Sequence, residues 1–542
     1  MIEADYVIVG GGSAGSVLAA RLSEDPAIKV ILIEAGGSGR GFWVDMPAGV
    51  IKLVGNPKTD WCYTAEPDPS INNRQVMWNA GKMLGGGSAL NGMAYNRGLR
   101  SDYDAWEAAG CPGWSFNDIF PYFLKGEDWQ GERDYQSHGR TGKFAISPIR
   151  TPSPLVPAFI KACESAGLPF RDDPCGGEID GVWKALTFQR AGQRCSAAKG
   201  FLEPARSRPN LEILTYMQAN HIIFEGLRAV GVNARRKDGS TIDVRARREV
   251  LISAGATQSP VILMRSGIGP AEHLKANGVA VVADSRNVGQ NLLEHPYIRL
   301  RWLVSKPTFN SQMQTLPQKA GQMLRYLFRR DGILTSPMIQ AIAGAKTLPE
   351  LPHPDVQVNF ISFVFDTTKP PLGKAAIVYP LHAHPAIGMS VSVNRAFSRG
   401  EIALRSADPR DQPVIRPNLL GDRRDVDTLV RAGKLLERIA ASPGLGELLV
   451  DRLEPELRSD ADWEQFVRNT AGIGYHASGT CRMGSDSHAV VDPQLRVRGV
   501  CGLRVVDASI MPELVSGNTT GPTVMIGERA AAFIKEEARA QG

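Results

Sequence analysis

The sequence predicts an α/β protein in which a parallel-sheet unit is interleaved with a second unit built on an antiparallel sheet and helices. Three observations predict it. The chain opens on a strand, a glycine turn, a helix and a second strand within residues 5–34. Near residue 250 another apolar run ends on a glycine and leads into a helix. The middle, about residues 300–465, loses that rhythm and carries alternating runs at 356–360 and 389–393, which suit an antiparallel sheet with one face solvated or lining a cavity. At 542 residues the chain exceeds one ordinary core, so two or three units are expected.

In the opening unit the apolar run Tyr6-Val7-Ile8-Val9 stops at three glycines, and Val17, Leu18 and Leu22 then suit one face of a helix. The next run, Val30-Ile31-Leu32-Ile33, ends in Glu34, nineteen residues after Gly15. Gly10 permits the tight turn, Gly12 lets the backbone approach a pyrophosphate, and Gly15 lets helix and strand pack closely. The helix N-terminus offers free N–H groups to an anion. Glu34 would accept hydrogen bonds from a ribose diol and repel a 2′-phosphate, which disfavours an NADP-type ligand. Residues 11–15 also read as G-x-S-x-G, the nucleophile elbow of a serine hydrolase built on Ser13. That reading needs several strands before the serine and gives Glu34 no role, so the dinucleotide is preferred.

Residues 47–74 read as a long loop with scattered aromatics such as Trp61 and Tyr63. Residues 81–92 hold five glycines, a density that suits backbone brought against a large flat or charged ligand. A loop-rich stretch follows over 148–208, and then runs at 211–214, 221–224 and 229–232 that read as strands of a small sheet. Residues 249–255 read as a buried strand, with Ser259 as N-cap and Pro260 as first-turn residue of a helix over 261–265. Residues 323–330 are apolar and basic, which fits peripheral contact with a membrane surface, but a packed helix with a charged end is preferred for so short a stretch. His382 and His384 lie on one side of a would-be strand without a third metal ligand nearby, and a loop is the better reading.

Composition narrows the classes. A formal charge of +6 over the whole chain, with only short basic clusters, argues against a nucleic-acid partner. Seven cysteines at irregular spacing, with no CxxC, argue against a disulfide framework or a zinc site and point to a reducing, cytoplasmic setting. The N-terminus enters its first strand almost at once, so no signal peptide is expected, and no apolar run approaches the ~20 residues of a membrane span.

The chemistry is expected near the C-terminus. His476 lies among small residues in 472–484, residues 503–509 read as a strand ending in Asp507, and the glycine-rich 516–523 leads into a closing helix over 524–537. A lone histidine is more often structural than catalytic, so composition alone leaves His476 open.

Together, residues 10–34, 81–104, 255–269 and the segments around His476 and Asn518 resemble the glucose-methanol-choline family of flavin-dependent alcohol oxidoreductases. The resemblance implies FAD in an extended form on a Rossmann-like domain made of residues 1–150, 197–300 and 470–542. A substrate-binding domain would comprise 151–196 and 301–469. Its implied cofactor contacts begin with Gly10, Gly12, Ser13, Ala14, Gly15, Glu34 and Ala35. They continue through Gly85, Gly86, Ser88, Asn91, Gly92, Met93 and Ala94, then Ala219, Ala254 and Gly255. Tyr475, Asp507, Ala508, Asn518, Thr519 and Thr523 complete them. His476 matches the family's catalytic histidine and Asn518 its second active-site position. Leu90 stands where some members attach FAD through a histidine, so noncovalent FAD is expected.

The implied reaction is oxidation of a small-molecule alcohol to an aldehyde or ketone. His476 would take the hydroxyl proton while hydride passes to flavin N5, and Asn518 would hold the oxygen. Electrons would go to a quinone-like acceptor, favoured, or to oxygen; a non-redox lyase on the same fold is the alternative. No charged residue can be assigned to the substrate pocket, so a trimethylammonium substrate such as choline has no identifiable partner.

Overall fold

The computed structural model describes residues 2–133, 135–370 and 379–541. Its first sheet has seven strands. The β-branched, fully buried run at the end of β1 (Ile2–Val9) pairs in parallel with β2 (Val30–Ile33), Val9 lying beside Ile33. On its other side β1 pairs in parallel with Thr241–Ile252. Between β1 and β2 runs α1 (Ser13–Leu22), whose buried face carries Val17 and Leu18.

Runs expected to form a separate small sheet instead extend this one. Leu211–Leu214 adds in parallel beside β2, while Arg228–Arg236 and Met217–Glu225 follow antiparallel on the far side. The reason is the twelve-residue length of the Thr241–Ile252 strand. Its residues 241–245 pair with Arg228–Arg236, which leaves 250–252 free to take Leu503–Val505 in parallel on the same edge. The C-terminal helix Thr520–Gln541 then packs against α1. A Cβ at Gly527 would come within 3.0 Å of the Ala14 carbonyl, and Arg21 grips Glu528 through two nitrogens at 2.7 to 2.9 Å. That helix begins at Thr520, four residues before the expected start.

The second sheet also has seven strands, and its pairings are antiparallel. Pro296–Val304, Ala386–Val393, Val356–Ile361 and Ile339–Ala345 form its centre, with the helix Arg423–Ala441 packed on it. The domain limit expected at 300/301 therefore falls inside a strand. The alternating pattern marks a buried polar face, where Gln357 bonds Asn359 and Asn359 bonds Ser390, so neither face of Val356–Ile361 is solvated. The stretch read as loop over 148–208 contains the helix Val156–Ser165 and the edge strand Gly181–Lys184.

The helix Leu316–Arg329 departs most from expectation. A capping box of Thr315 and Gln318 starts it, but Tyr326 is its one buried residue. Leu316 and Phe328 are 81% and 82% exposed. The packed helix is thus a surface helix whose apolar stripe faces outward, because beneath it only a small cluster of Met46, Leu334 and neighbours offers apolar partners.

Candidate active site

Between the two sheets lies a cavity of about 600 Å³, the size of a small-molecule or cofactor site. One half of its wall is backbone. Val9, Ser253, Ala254 and Asp507 place it at the carboxyl ends of the parallel strands, where open α/β sheets bind ligands. Gly12 occupies the N-cap of α1 without any side chain satisfying the first N–H groups. A Cβ on Gly12 would meet only the Ser253 carbonyl, at 3.8 Å, and one on Gly87 or Gly255 nothing within 4 Å. These glycines leave the wall open to a ligand. Gly10 and Gly86 instead bring backbone against backbone: at φ +98° and +51°, their Cβ atoms would lie 2.4 Å from the Ser253 carbonyl and 2.8 Å from the Gly12 Cα.

Glu34 is held at the same end. Its carboxylate accepts from the Gly11 and Gly36 N–H groups at 2.9 and 2.7 Å, and burial pushes its pKa up against those bonds. Each oxygen keeps a second lone pair for a diol. The wall also carries Ser13, Ala14, Ala35, Ala219, Ala508 and Thr519, as well as Asn91, Gly92, Met93, Ala94 and Thr523.

Three expected contacts stand back from the wall. Gly15 packs so tightly that a Cβ would lie 1.9 Å from the Gly10 carbonyl. Gly85 donates its N–H to the Gly11 carbonyl at 2.7 Å, tying the two glycine loops together. The Ser88 hydroxyl is spent on the Gly85 carbonyl and the Ala197 N–H.

Ser259 and Pro260 do not begin their helix, which starts at Gly255. The Gly255 N–H and the Ser259 hydroxyl both donate to Asp507, at 2.9 and 2.6 Å, so a residue 248 positions away from Ser259 anchors this helix entry. Pro260 is tolerated inside the helix because the carbonyl it strands, that of Ala256, accepts the Thr480 hydroxyl at 2.6 Å. The proline thereby fastens the helix to the segment that carries His476.

The other half of the wall is side chain. His476 and Asn518 both lie on it, with the Asn518 Nδ2 3.1 Å from the His476 Nε2. Behind His476 stands His295, its Nδ1 2.8 Å from the His476 Nδ1 and its Nε2 2.9 Å from the Asn394 carbonyl. That carbonyl only accepts, so the His295 Nε2 carries the proton and its Nδ1 is the acceptor. The His476 Nδ1 therefore donates, and its Nε2 presents a lone pair to the cavity. Burial, reinforced by His295, holds the His476 pKa well below 6.5, and burial takes His295 down to about 4. Both rings are neutral near pH 7.

Glu294 braces this pair from the backbone side, accepting from the His476 and His295 N–H groups at 2.8 Å each, while burial raises its pKa to about 8. Tyr475 and Met93, at φ +61° and +63°, hold left-handed backbone on the cavity wall, strain of the kind that gathers at functional sites.

Sequence reasoning missed Glu294 and His295, whose one signal is an acid and a histidine adjacent to Pro296. It also read residues 47–74 as plain loop, whereas Val50, Ile51, Val54, Trp61 and Tyr63 line the cavity. Arg299, which the sequence alone could not assign to the pocket, is on the wall. His382 and His384 are in a loop. His138, Asp173 and Cys175 do cluster within 4.8 Å, but both His138 nitrogens are engaged, by Glu127 and Asp173, so no lone pair is left for a metal. Among the described residues no helix is long and apolar enough to cross a membrane.

With this geometry in place, comparison with known proteins gives a consistent result. Residues 4–297 and 396–527 match two family models, both described as GMC oxidoreductase. Human mitochondrial choline dehydrogenase is 40% identical over 98% of this chain and 90% of its own. The alcohol dehydrogenase [acceptor] of Pseudomonas putida is 38% identical over 98% and 95%. Among solved structures, a formate oxidase superposes with a TM-score of 0.92 at 26% identity, covering 99% of both chains.

Proposed function

Because the chain belongs to the GMC oxidoreductase family, we propose that it oxidises an alcohol to the aldehyde or ketone with noncovalently bound FAD. The residues present fit that cofactor. Gly12, Gly87 and Gly255 offer open backbone for a pyrophosphate-bearing chain, Glu34 has lone pairs for a ribose, and the N-termini of α1 and Thr520–Gln541 border the same cavity. FAD supplies the hydride acceptor when bound. Leu90, buried on the cavity wall, offers no atom for a covalent link.

The observation that carries the reading is the hydrogen-bond chain from the Asn394 carbonyl through His295 to His476, which fixes a neutral base with its Nε2 lone pair facing the cavity. An incoming hydroxyl replaces the Asn518 amide at that nitrogen and gives up its proton there, and the amide turns to the oxygen as charge develops on it. Glu294 holds His476 in place as it takes the proton by accepting from its backbone N–H. Residues 1–150, 197–295 and 470–542 serve the cofactor, and 151–196 and 296–469 the substrate.

Anaerobic mixing of the purified yellow protein with an alcohol panel tests this. Bleaching of the flavin band is expected, with acid precipitation releasing the flavin to the supernatant. A colourless protein, or flavin that no alcohol bleaches, overturns the reading. Admitting air and then a quinone separates oxidase from dehydrogenase; quinone-dependent recolouring is expected.

A further inference from the structure

We propose that the alcohol taken by this site carries a carboxylate, bound by Arg299, and that quaternary ammonium alcohols are excluded; this rests on the alcohol-oxidation reading above. Arg299 belongs to the strand Pro296–Val304, in the substrate sheet and away from the nucleotide cradle. It lines the cavity together with Tyr297 of the same strand. Among the described residues it makes no ion pair, and its Nε is buried without a hydrogen-bond partner. Arg301, two residues on, shows what this strand does with a structural arginine: it pairs with Glu454 at 2.5 Å. A guanidinium left unpaired at a cavity wall is costly for folding alone and well suited to a planar, bidentate carboxylate.

The same wall has no free carboxylate to offer a cation. Glu294 is its one acid outside the cradle, and that carboxyl is turned to the backbone N–H groups of His295 and His476. Two aromatic faces that would otherwise suit an ammonium group are already served by cations, Trp61 by the Lys82 Nζ at 4.5 Å and Tyr297 by Arg299 at 5.6 Å. A trimethylammonium head would meet positive charge where it needs negative charge. On this point the chain parts from the choline dehydrogenase it resembles at 40% identity.

The test compares ω-hydroxycarboxylates of four to twelve carbons with the matching 1-alkanols and with choline, reading flavin reduction in the holoenzyme. The best hydroxy acid should exceed its matched alkanol about 10- to 100-fold in kcat/KM, the range expected for a charge-assisted pair. Choline should be inert. Arg299→Gln should erase that difference through KM, with kcat for the hydroxy acid largely kept, and Arg299→Lys should restore part of it. Hexanoate, which cannot be oxidised, should perturb the flavin spectrum of the wild-type holoenzyme at lower concentration than hexylammonium, a readout that stands even if the Arg299 variants fold poorly. Choline or alkanols reducing the flavin as fast as hydroxy acids, hexylammonium binding as tightly as hexanoate, or Arg299→Gln slowing every substrate alike would overturn the proposal and leave alcohol oxidation intact. If no alcohol reduces the flavin, the underlying reading falls and takes this one with it.

Discussion

The two halves of the cavity are built from different material. The nucleotide half is backbone: Gly12, Gly87 and Gly255 leave open wall, and Gly10 and Gly86 press main chain on main chain. The substrate half is side chain: His476, backed by His295, and Asn518, Tyr297 and Arg299 come from strands and loops far apart in the sequence. A backbone site needs many permissive residues in succession and so marks the composition. A side-chain site needs one residue in each of several places, and no single stretch records it.

The sharpest way to break that contrast is on the side-chain half. His476→Ala should slow flavin reduction about 10²- to 10⁴-fold in stopped-flow, the range of a lost general base, while flavin content stays normal. Near-normal reduction would remove His476 from the mechanism. On the backbone half, Gly10→Ala and Gly12→Ala separate folding from binding. A Cβ at Gly10 would lie 2.4 Å from the Ser253 carbonyl at a φ of +98°, so this variant should lose about 2 to 4 kcal/mol of stability with or without flavin. Gly12→Ala has room to fold and should lose flavin affinity only; equal melting losses in both variants would refute the open-wall account.

Smaller in effect, Thr480→Val keeps the shape but strands the Ala256 carbonyl, which should cost about 1 to 3 kcal/mol in denaturant unfolding. The mildest test is pH. His476 must be neutral to accept a proton, and its pKa lies well below 6.5, so the rate of flavin reduction should hold level from neutrality down through 6.5 and fall only further into acid. An acid limb at or above 6.5 would mean that the ring is not desolvated as described.

Legibility followed the same division. The opening unit, the glycine loop at 81–92 and the alternating middle announced themselves because periodicity and glycine spacing are local properties. Ser259 and Pro260 misled because their partners are not local: Asp507 anchors the helix entry and Thr480 repairs the proline's missing bond. The outward stripe of Leu316–Arg329 could not be told from a packed one, since periodicity gives a face but not what lies against it. Arg299 carries no pattern until the strand Pro296–Val304 sets it on the cavity wall, and His295, just before that strand, shows its role only where it meets His476.

The grip of Arg21 on Glu528 and the late strand Leu503–Val505 set a timetable for synthesis. The first helix of the nucleotide unit waits for the last helix of the chain. At about 5 to 20 residues per second, a ribosome needs roughly half a minute to two minutes to supply it. Until then the N-terminal strands hold an unfilled edge at 250–252, and α1 shows an uncovered flank where Ala14 and Val17 will meet Gly527. Cofactor capture therefore waits for Leu503–Val505 and Thr520–Gln541, and before they arrive the ligand has no completed site to protect.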